Sequence, residues 1–138
     1  MNFSARAIAP GTAIGRALVS RQGISFFGGV NPDTGIVVEK GHDLEGQSIS
    51  GRVLIFPTGK GSTVGSYTLY RLKKNGLAPA AIINARCETI TAVGCIIAEI
   101  PCVDSMSLDI FDNDMLLQVN GEFGQVEILS KNLDSSLV

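Results

Sequence analysis

The sequence has 138 residues, a length typical of one domain with a sizeable core. Apolar residues make up 45% of the chain and charged residues 17%, which predicts a globular fold and excludes an intrinsically disordered chain. A formal net charge of −2 argues against nucleic acid as the main ligand. The low share of charged residues also indicates that a partner covers part of an apolar exterior. No signal-like or membrane-spanning run is visible, so we expect a cytoplasmic protein with no membrane partner.

The first part of the chain predicts short strands followed by a long ordered loop. The stretch "FSARAIAPGTAIGRALVS" alternates small and apolar residues around Pro10 and Gly11, which predicts two strands joined by a turn. The loop "ISFFGGVNPDTGIV" contains Phe26 and Phe27, which we expect to pack on the body of the domain or on another chain. His42, the only histidine, lies in the polar connection "HDLEGQSISG", and we expect it at the surface without a role.

Strands and helices alternate through the middle of the chain. The predicted elements are a strand at Arg52–Phe56, a helix from Ser62 to Asn75, a strand in "PAAIIN", a helix capped by Thr89 with an apolar face of Ile90, Val93 and Ile97 and ended by Pro101, and a strand in "CVD". Strands separated by helices pair in parallel with right-handed crossovers, which predicts an α/β fold with a parallel strand–helix–strand core. "MLLQVNGEFGQVEIL" predicts a closing hairpin, and the domain is expected to span residues 1–130, with a frayed tail over residues 131–138.

The loop "GKGSTVGSY" follows the apolar run "RVLIF" and leads into the first predicted helix. A nucleotide-phosphate loop is excluded, because that motif requires Ser or Thr directly after the lysine and Lys60 is followed by Gly61. Gly59, Gly61 and Gly65 form a relaxed dinucleotide fingerprint. The next strand ends in "IINAR", without the acid that would bind a ribose, which disfavours a dinucleotide.

A third interpretation of the loop is an anion site. Ser62 lies where a helix begins, beside the free amides and the positive end of the helix dipole. A plain helix cap would explain the serine alone equally well. The flanking glycines would also let a ligand approach the backbone, and Lys60 adds a positive charge. We therefore predict that Gly59, Lys60, Gly61 and Thr63 bind an anionic substrate and that the Ser62 hydroxyl points into the site.

Three stretches of the sequence resemble the small subunit of the aconitase X family, the stand-alone version of aconitase's swivelling domain. They are "GGVNPDTG", "GQSISGRVLIFPTGKGSTVGSYTLYRLKKNGLAPAAIIN" and "ETITAVGCIIAEIPCVD", and the resemblance covers about residues 3–110. It implies a swivelling β/β/α domain that pairs with a large subunit. It also implies an iron–sulfur cluster carried by that large subunit and no cofactor bound by this chain. The pair would dehydrate a small anionic hydroxy acid.

The resemblance also implies a catalytic role for Ser62, which matches the family's catalytic serine. A serine can abstract a proton only as an alkoxide, which the amides of residues 63–65, the helix dipole and Lys60 would stabilise. The iron on the partner would act as a Lewis acid. The expected function is that of a hydro-lyase subunit, active only with the large subunit, which converts mevalonate 5-phosphate to trans-anhydromevalonate 5-phosphate.

Two alternatives remain open: a subunit that dehydrates cis-3-hydroxy-L-proline, and a non-catalytic binding module of the same fold. The choice between the two substrates depends on the separate-subunit form and on a loop suited to phosphate. The amine of hydroxyproline would require a nearby acid, and none occurs within Gly59–Tyr67; the closest acid on the carboxyl side is Glu88.

The remaining reactive residues are assigned no site. Cys87, Cys95 and Cys102 are separated by eight and seven residues, without metal-ligand spacing, and are predicted to be buried apolar residues. Asp33 is explained equally well by turn formation, and Arg86 by solvation of a strand end.

Overall fold

The computed structural model describes residues 1–61 and 63–131, and its core is an eight-stranded sheet with helices on one face. The strands are β1 (Asn2–Ser4), β2 (Arg6–Ala9), β3 (Thr12–Val19), β4 (Val53–Phe56), β5 (Ala81–Asn84), β6 (Cys102–Asp104), β7 (Leu116–Asn120) and β8 (Gln125–Ser130). The helices are α2 (Val64–Lys74) and α3 (Thr89–Ala98), with a 3₁₀ turn at Leu108–Ile110. The short segment α1 (Phe26–Gly29) has non-helical dihedral angles at Phe27 and Gly28. None of these helices, within the described residues, is long and apolar enough to cross a membrane.

The sheet has the order β1-β8-β7-β3-β4-β5-β6-β2. Strands β3, β4, β5 and β6 are parallel, which confirms the predicted strand–helix–strand core. Every residue of β4 and β5 is buried, because both faces of these strands are covered. In β4, Leu54 and Phe56 belong to the helix-side core, whereas Val53 and Ile55 belong to the core beneath the antiparallel strands. The layers are therefore β/β/α, as predicted.

Strand β3 joins the two halves of the sheet. Its first part, Thr12–Arg16, pairs antiparallel with β7, and its last part, Ala17–Val19, pairs parallel with β4. The predicted closing hairpin is confirmed as β7–β8. Residues 132–138 of the predicted tail lie outside the described residues.

The amino-terminal segment contains the two predicted strands joined by a turn at Pro10 and Gly11, which are β2 and β3. The segment contains three strands, and β1 and β2, joined by Ala5, form opposite edges of the sheet by pairing with β8 and β6. Gly11, with φ of +116°, turns the chain away from the β2 edge, and its carbonyl accepts a hydrogen bond from Gly121 N–H. The chain then enters β3 at the centre of the sheet, so β2 and β3 have different partners.

The predicted apolar face of α3 is wrong. Val93 and Ile97 are exposed and Ile90 is partly buried. The buried residues are Thr91, Gly94, Cys95 and Ala98. Helix α2 lies so close that a Cβ on Gly94 would be 2.6 Å from Leu69 Cδ1. Small side chains are therefore required at the contact, and the larger apolar ones face outward.

Glu88, rather than Thr89, occupies the cap position of α3. Its carboxylate accepts hydrogen bonds from the N–H groups of Ile90 and Thr91, at 2.8 and 2.6 Å. A carboxylate at this position also interacts favourably with the positive end of the helix dipole. Helix α3 thus begins on an acid that lies at the carboxyl edge of the sheet.

His42 is buried, contrary to the prediction that it lies at the surface, and is 6% exposed. Its Nδ1 accepts a hydrogen bond from Leu44 N–H at 3.1 Å, and its Nε2 lies 3.0 Å from the Gly23 carbonyl oxygen. With Nδ1 as acceptor, Nε2 is the protonated nitrogen that donates to Gly23. The ring therefore anchors the chain around Gly23, next to the loop considered below.

Candidate active site

The loop "GKGST" leaves the carboxyl end of β4, the edge at which α/β sheets bind ligands. It runs beside the chain around Ile24, with Lys60 N–H donating to the Ile24 carbonyl at 2.9 Å and Ile24 N–H donating to Thr58 at 3.3 Å. Helix α2 begins at Val64, and Thr63 holds its cap position without a side-chain cap hydrogen bond. Ser62 lies outside the described residues, so its catalytic role remains a prediction.

Two glycines of the loop pack tightly against neighbouring segments. Gly59 is buried, and a Cβ there would collide with Thr91 Oγ1 and lie 2.5 Å from Glu88 Oε1. Gly61 has φ of +104°, and a Cβ there would lie 2.6 Å from Ser25 Oγ. The loop thus passes between the start of α3 and Ser25. Packing is a second reason for these glycines, beside the access for a ligand that the sequence suggested.

The structure brings two carboxylates to the loop from distant parts of the chain. Glu39 Oε2 lies 3.3 Å from Lys60 Nζ, and the Glu88 carboxylate lies against Gly59. The acid-free sequence of the loop therefore does not mean that no acid lies near it in space. Glu88 had a sequence signal, since acids are common just before a helix. Glu39 and Ser25 had none, because only the tertiary fold brings them to the loop.

The predicted binding residues differ in their accessibility. Lys60, Gly61 and Thr63 are exposed, whereas Gly59 is buried behind them. Their contact with a substrate remains a prediction. The exposed three present an ammonium, a backbone amide and a hydroxyl on one short segment, which is chemistry suited to an anionic group.

An ion pair whose carboxylate is buried and whose arginine is exposed supports the site from behind. Asp104, at the end of β6, accepts hydrogen bonds from Arg6 Nε and Nη2 at 2.8 and 2.7 Å and from Cys87 N–H at 2.8 Å. Burial alone would raise the pKa of Asp104, but these bonds and the Ser105 hydroxyl outweigh it and hold that pKa below its usual range. The carboxylate fixes residue 87 and thereby the position of Glu88, which packs on Gly59.

The cysteines are closer together than their spacing suggested. Cys95 and Cys102 are fully buried, as predicted, and the sulfur atoms of Cys87 and Cys102 lie 4.0 Å apart. The contact with Cys102 and partial burial raise the pKa of the Cys87 thiol, which disfavours the thiolate that binds metals. Residues 1–61 and 63–131 contain no group of three or more His, Cys, Asp or Glu that could hold a metal ion.

An apolar groove lies next to the loop, between α2 and the segment Phe26–Gly29. Phe26 is buried and packs edge-on against Phe56, with ring centroids 5.8 Å apart. Phe27 and Gly28 have the dihedral angles of a type II turn, with φ of +82° at the glycine, and this turn leaves Phe27 53% exposed. The groove has a volume of about 410 Å³. Its apolar lining includes Phe27, Val38, Val64 and Tyr67, all of them exposed.

Asp33 and Arg86, which the sequence assigns to no site, both have hydrogen-bond partners in the structure. Asp33 forms an ion pair with Arg71 of α2 at 3.2 Å, on one side of the groove. Arg86 is exposed, and its N–H donates to the Pro57 carbonyl at 3.0 Å.

On the outer face of α3, Ile96 and Ile97 are more than half exposed. The apolar exterior expected from the composition is therefore present on the helical side.

Comparison with known proteins identifies the family. The profile described as Aconitase X swivel domain matches residues 2–128. The phosphomevalonate dehydratase small subunit of Methanosarcina mazei is 55% identical over 135 residues, which cover 95% of this chain and 93% of that protein. The protein of the same name from Thermococcus kodakarensis is 50% identical, with 94% and 97% covered. The crystal structure of Thermococcus kodakaraensis aconitase X in its holo form superposes with a TM-score of 0.92 at 49% identity, covering 94% of this chain and 99% of that one. The chain therefore belongs to the aconitase X swivel domain family.

Proposed function

We propose that this chain is the small subunit of a heteromeric hydro-lyase that converts mevalonate 5-phosphate to trans-anhydromevalonate 5-phosphate. The observation that carries the proposal is the similarity to relatives named phosphomevalonate dehydratase small subunit, at 55% and 50% identity over nearly the whole of both chains. The loop supports it, because exposed Lys60, Gly61 and Thr63 offer an ammonium, an amide and a hydroxyl to an anionic substrate.

In this proposal Ser62 is the base that removes a proton from the substrate. A serine alkoxide requires local stabilisation of negative charge in a site closed to water. The start of α2 and the Lys60 ammonium provide positive charge on either side of Ser62 in the sequence. In this proposal the large subunit completes the site and closes it over the loop.

An iron–sulfur cluster does not fit the donors in the described part of this chain. Cys102 is fully buried, and the thiols of Cys87 and Cys102 have raised pKa values. The part of the chain that the structure describes also has no three-ligand cluster. We therefore assign the cluster to the large subunit, where its iron would supply a Lewis acid for the departing hydroxyl.

The nearby acid Glu39 weakens one reason for preferring the phosphorylated substrate. Its carboxylate lies beside Lys60, so the pair offers a partner to each charge of a zwitterionic amino acid such as hydroxyproline. The preference for mevalonate 5-phosphate therefore depends on the relatives and on the phosphate-suited loop. A cis-3-hydroxy-L-proline dehydratase subunit is the second candidate because of the Lys60–Glu39 pair.

The substrate is tested with the reconstituted pair of subunits under anaerobic conditions. We expect kcat/KM for mevalonate 5-phosphate to exceed that for cis-3-hydroxy-L-proline by about 100-fold or more. A site whose charged groups pair with one of these substrates leaves some of those groups unpaired when the other substrate binds. A preference for the proline would replace the first candidate by the second. Binding of the large subunit without turnover of either compound would identify a non-catalytic module.

We further propose that the large subunit docks over the apolar groove. The groove adjoins the loop through Val64, and its exposed aromatic residues, Phe27 and Tyr67, are of the kind that dominate binding energy at interfaces. The Asp33–Arg71 ion pair gives it a polar margin, as is common around an apolar interface core. A subunit that closes over the loop would also cover the neighbouring groove at Val64.

Phe27→Ala should weaken binding of the large subunit by about 30-fold or more, the usual effect of truncating an aromatic anchor. The matched control is Phe123→Ala, because Phe123 is 75% exposed in the turn between β7 and β8, away from the groove. Titration calorimetry with the purified large subunit measures both. Equal affinities for the two variants would place the interface elsewhere.

A further inference from the structure

The ion pair between Lys60 and Glu39 connects the candidate loop to the segment that contains Glu39, to which the proposed reaction assigns no role. Lys60 Nζ lies 3.3 Å from Glu39 Oε2, and the two side chains are 51% and 34% exposed. An exposed lysine with four rotatable bonds samples many orientations, so contacts are needed to hold it in a single one. Both side chains make such contacts with their surroundings.

Both side chains lie over glycines of the segment that runs beside the loop. A Cβ on Gly23 would lie 3.5 Å from Lys60 Cδ and 3.7 Å from its Cγ. A Cβ on Gly29 would lie 3.3 Å from Glu39 Oε1. The lysine stem thus crosses Gly23, and the carboxylate that receives its ammonium rests on Gly29.

The backbone on either side of the pair is held to the same segment. Lys60 N–H donates to the Ile24 carbonyl at 2.9 Å, and Glu39 N–H donates to the Gly29 carbonyl at 3.3 Å. His42 fixes the segment further through the Gly23 carbonyl oxygen, at 3.0 Å from its Nε2. The fold therefore fixes the backbone positions of Lys60 and Glu39, and the ion pair determines the position of the Lys60 ammonium.

We propose that Glu39 is a positioning residue for the dehydration: it holds the Lys60 ammonium beside the loop, so that the ammonium meets the phosphate or carboxylate of the substrate in one orientation. The inference rests on the proposed function, because it assigns Lys60 a substrate anion. Glu39 acts through Lys60 and makes no contact with the substrate of its own. A lysine that is ordered before binding loses less conformational freedom when it binds the anion.

The kinetic test uses the reconstituted pair with mevalonate 5-phosphate. We expect Glu39→Gln to raise KM by about fivefold, the upper end for an exposed ion pair, and to leave kcat within about twofold. Glu39→Asp should raise KM equally, because the shorter side chain keeps the charge but does not reach the ammonium. The double variant Glu39→Gln with Lys60→Ala should have the KM of Lys60→Ala alone. Asp109→Asn is the control, since it removes another exposed ion pair, with Arg21 at 3.7 Å.

A second measurement tests whether Glu39 orders the Lys60 side chain in the isolated chain, and it does not depend on the reaction. In NMR spectra of the wild type, the two Hε protons of Lys60 should have distinct shifts, because the stem is held in one environment. In Glu39→Gln they should become equivalent, while those of exposed Lys131 stay unchanged.

The outcomes separate the two proposals. Absence of turnover by the wild-type pair defeats the proposed function, and the Lys60 signals still report whether Glu39 orders the lysine. A KM that falls in Glu39→Gln would show that Glu39 only repels the substrate, which overturns the positioning role. Additive effects in the double variant, or Lys60 signals that are equivalent already in the wild type, would overturn it as well.

Discussion

Ser62→Ala is expected to reduce the kcat of the reconstituted pair by about 10²–10⁴-fold, the range for loss of a general base. The same change should lower the free energy of unfolding by at most about 1 kcal/mol, because Thr63 rather than Ser62 holds the cap position of α2 and even a lost cap usually costs only about that much. Affinity for the large subunit should be unchanged, since a hydroxyl contributes little to a large interface. The measurements are single-turnover dehydration of mevalonate 5-phosphate and chemical denaturation of the isolated chain.

The control for this variant is Ser107→Ala. Ser107 precedes the 3₁₀ turn at Leu108–Ile110, is exposed, and makes no side-chain cap hydrogen bond. It should leave both turnover and stability near the wild-type values. Near-normal turnover by Ser62→Ala would exclude Ser62 as the base and would move the search for the base to the large subunit.

Gly59→Ala should reduce kcat/KM by about 100-fold, although it adds only a methyl group. The new Cβ would collide with Thr91 Oγ1 and Glu88 Oε1, which the start of α3 holds in place. The loop would have to move outward, and a displacement of about 1 Å at reacting groups costs on the order of 10²-fold in rate. Steady-state kinetics of the pair, with the stability of the isolated chain measured in parallel, test this result.

Gly121→Ala is the matched control for the steric change. A Cβ on Gly121 would collide with the Ala9 carbonyl oxygen and lie 3.1 Å from Cys102 N, at the opposite edge of the parallel strands from the loop. It should destabilise the chain by about 1–3 kcal/mol, as overpacking usually does, with kcat/KM of the folded protein retained. A Gly59→Ala variant with wild-type kcat/KM would show that the loop tolerates displacement.

The sequence predicts the elements whose signals are local. Continuous apolar runs identify β4 and β5, because strands that are buried on both faces are apolar at successive positions rather than at alternate ones. The β7–β8 hairpin follows from its turn glycines. The buried face of α3 could not be predicted from hydrophobicity, since the close approach of Leu69 to Gly94 selects small residues over isoleucine.

The surroundings of the loop could not be predicted for a different reason. The sequence identifies the GKGST loop itself, because its glycines, lysine and hydroxyls are contiguous. Glu39 contacts Lys60, and Ser25 lies next to Gly61, because the long connection between β3 and β4 folds back on the GKGST loop. That connection has no regular hydrophobic period from which its path could be predicted. His42 was misplaced in the same way, because its burial depends on hydrogen bonds with Gly23 and Leu44 rather than on its polar neighbours.

The placement of β1 and β2 has a consequence for how the chain folds as it is synthesised. Residues 2–9 supply both edges of the sheet, since Asn2 pairs with Glu127 and Arg6 pairs with Asp104. Residues 2–9 leave the ribosome well before their partners in β6 and β8, which gives the fold contacts distant in sequence and favours slow completion. Until then β6 and β8 present unpaired backbone groups on which another chain could add a strand. In the finished domain one short segment covers both strands, and the sheet edges that remain are only the three residues of β1 and the four of β2.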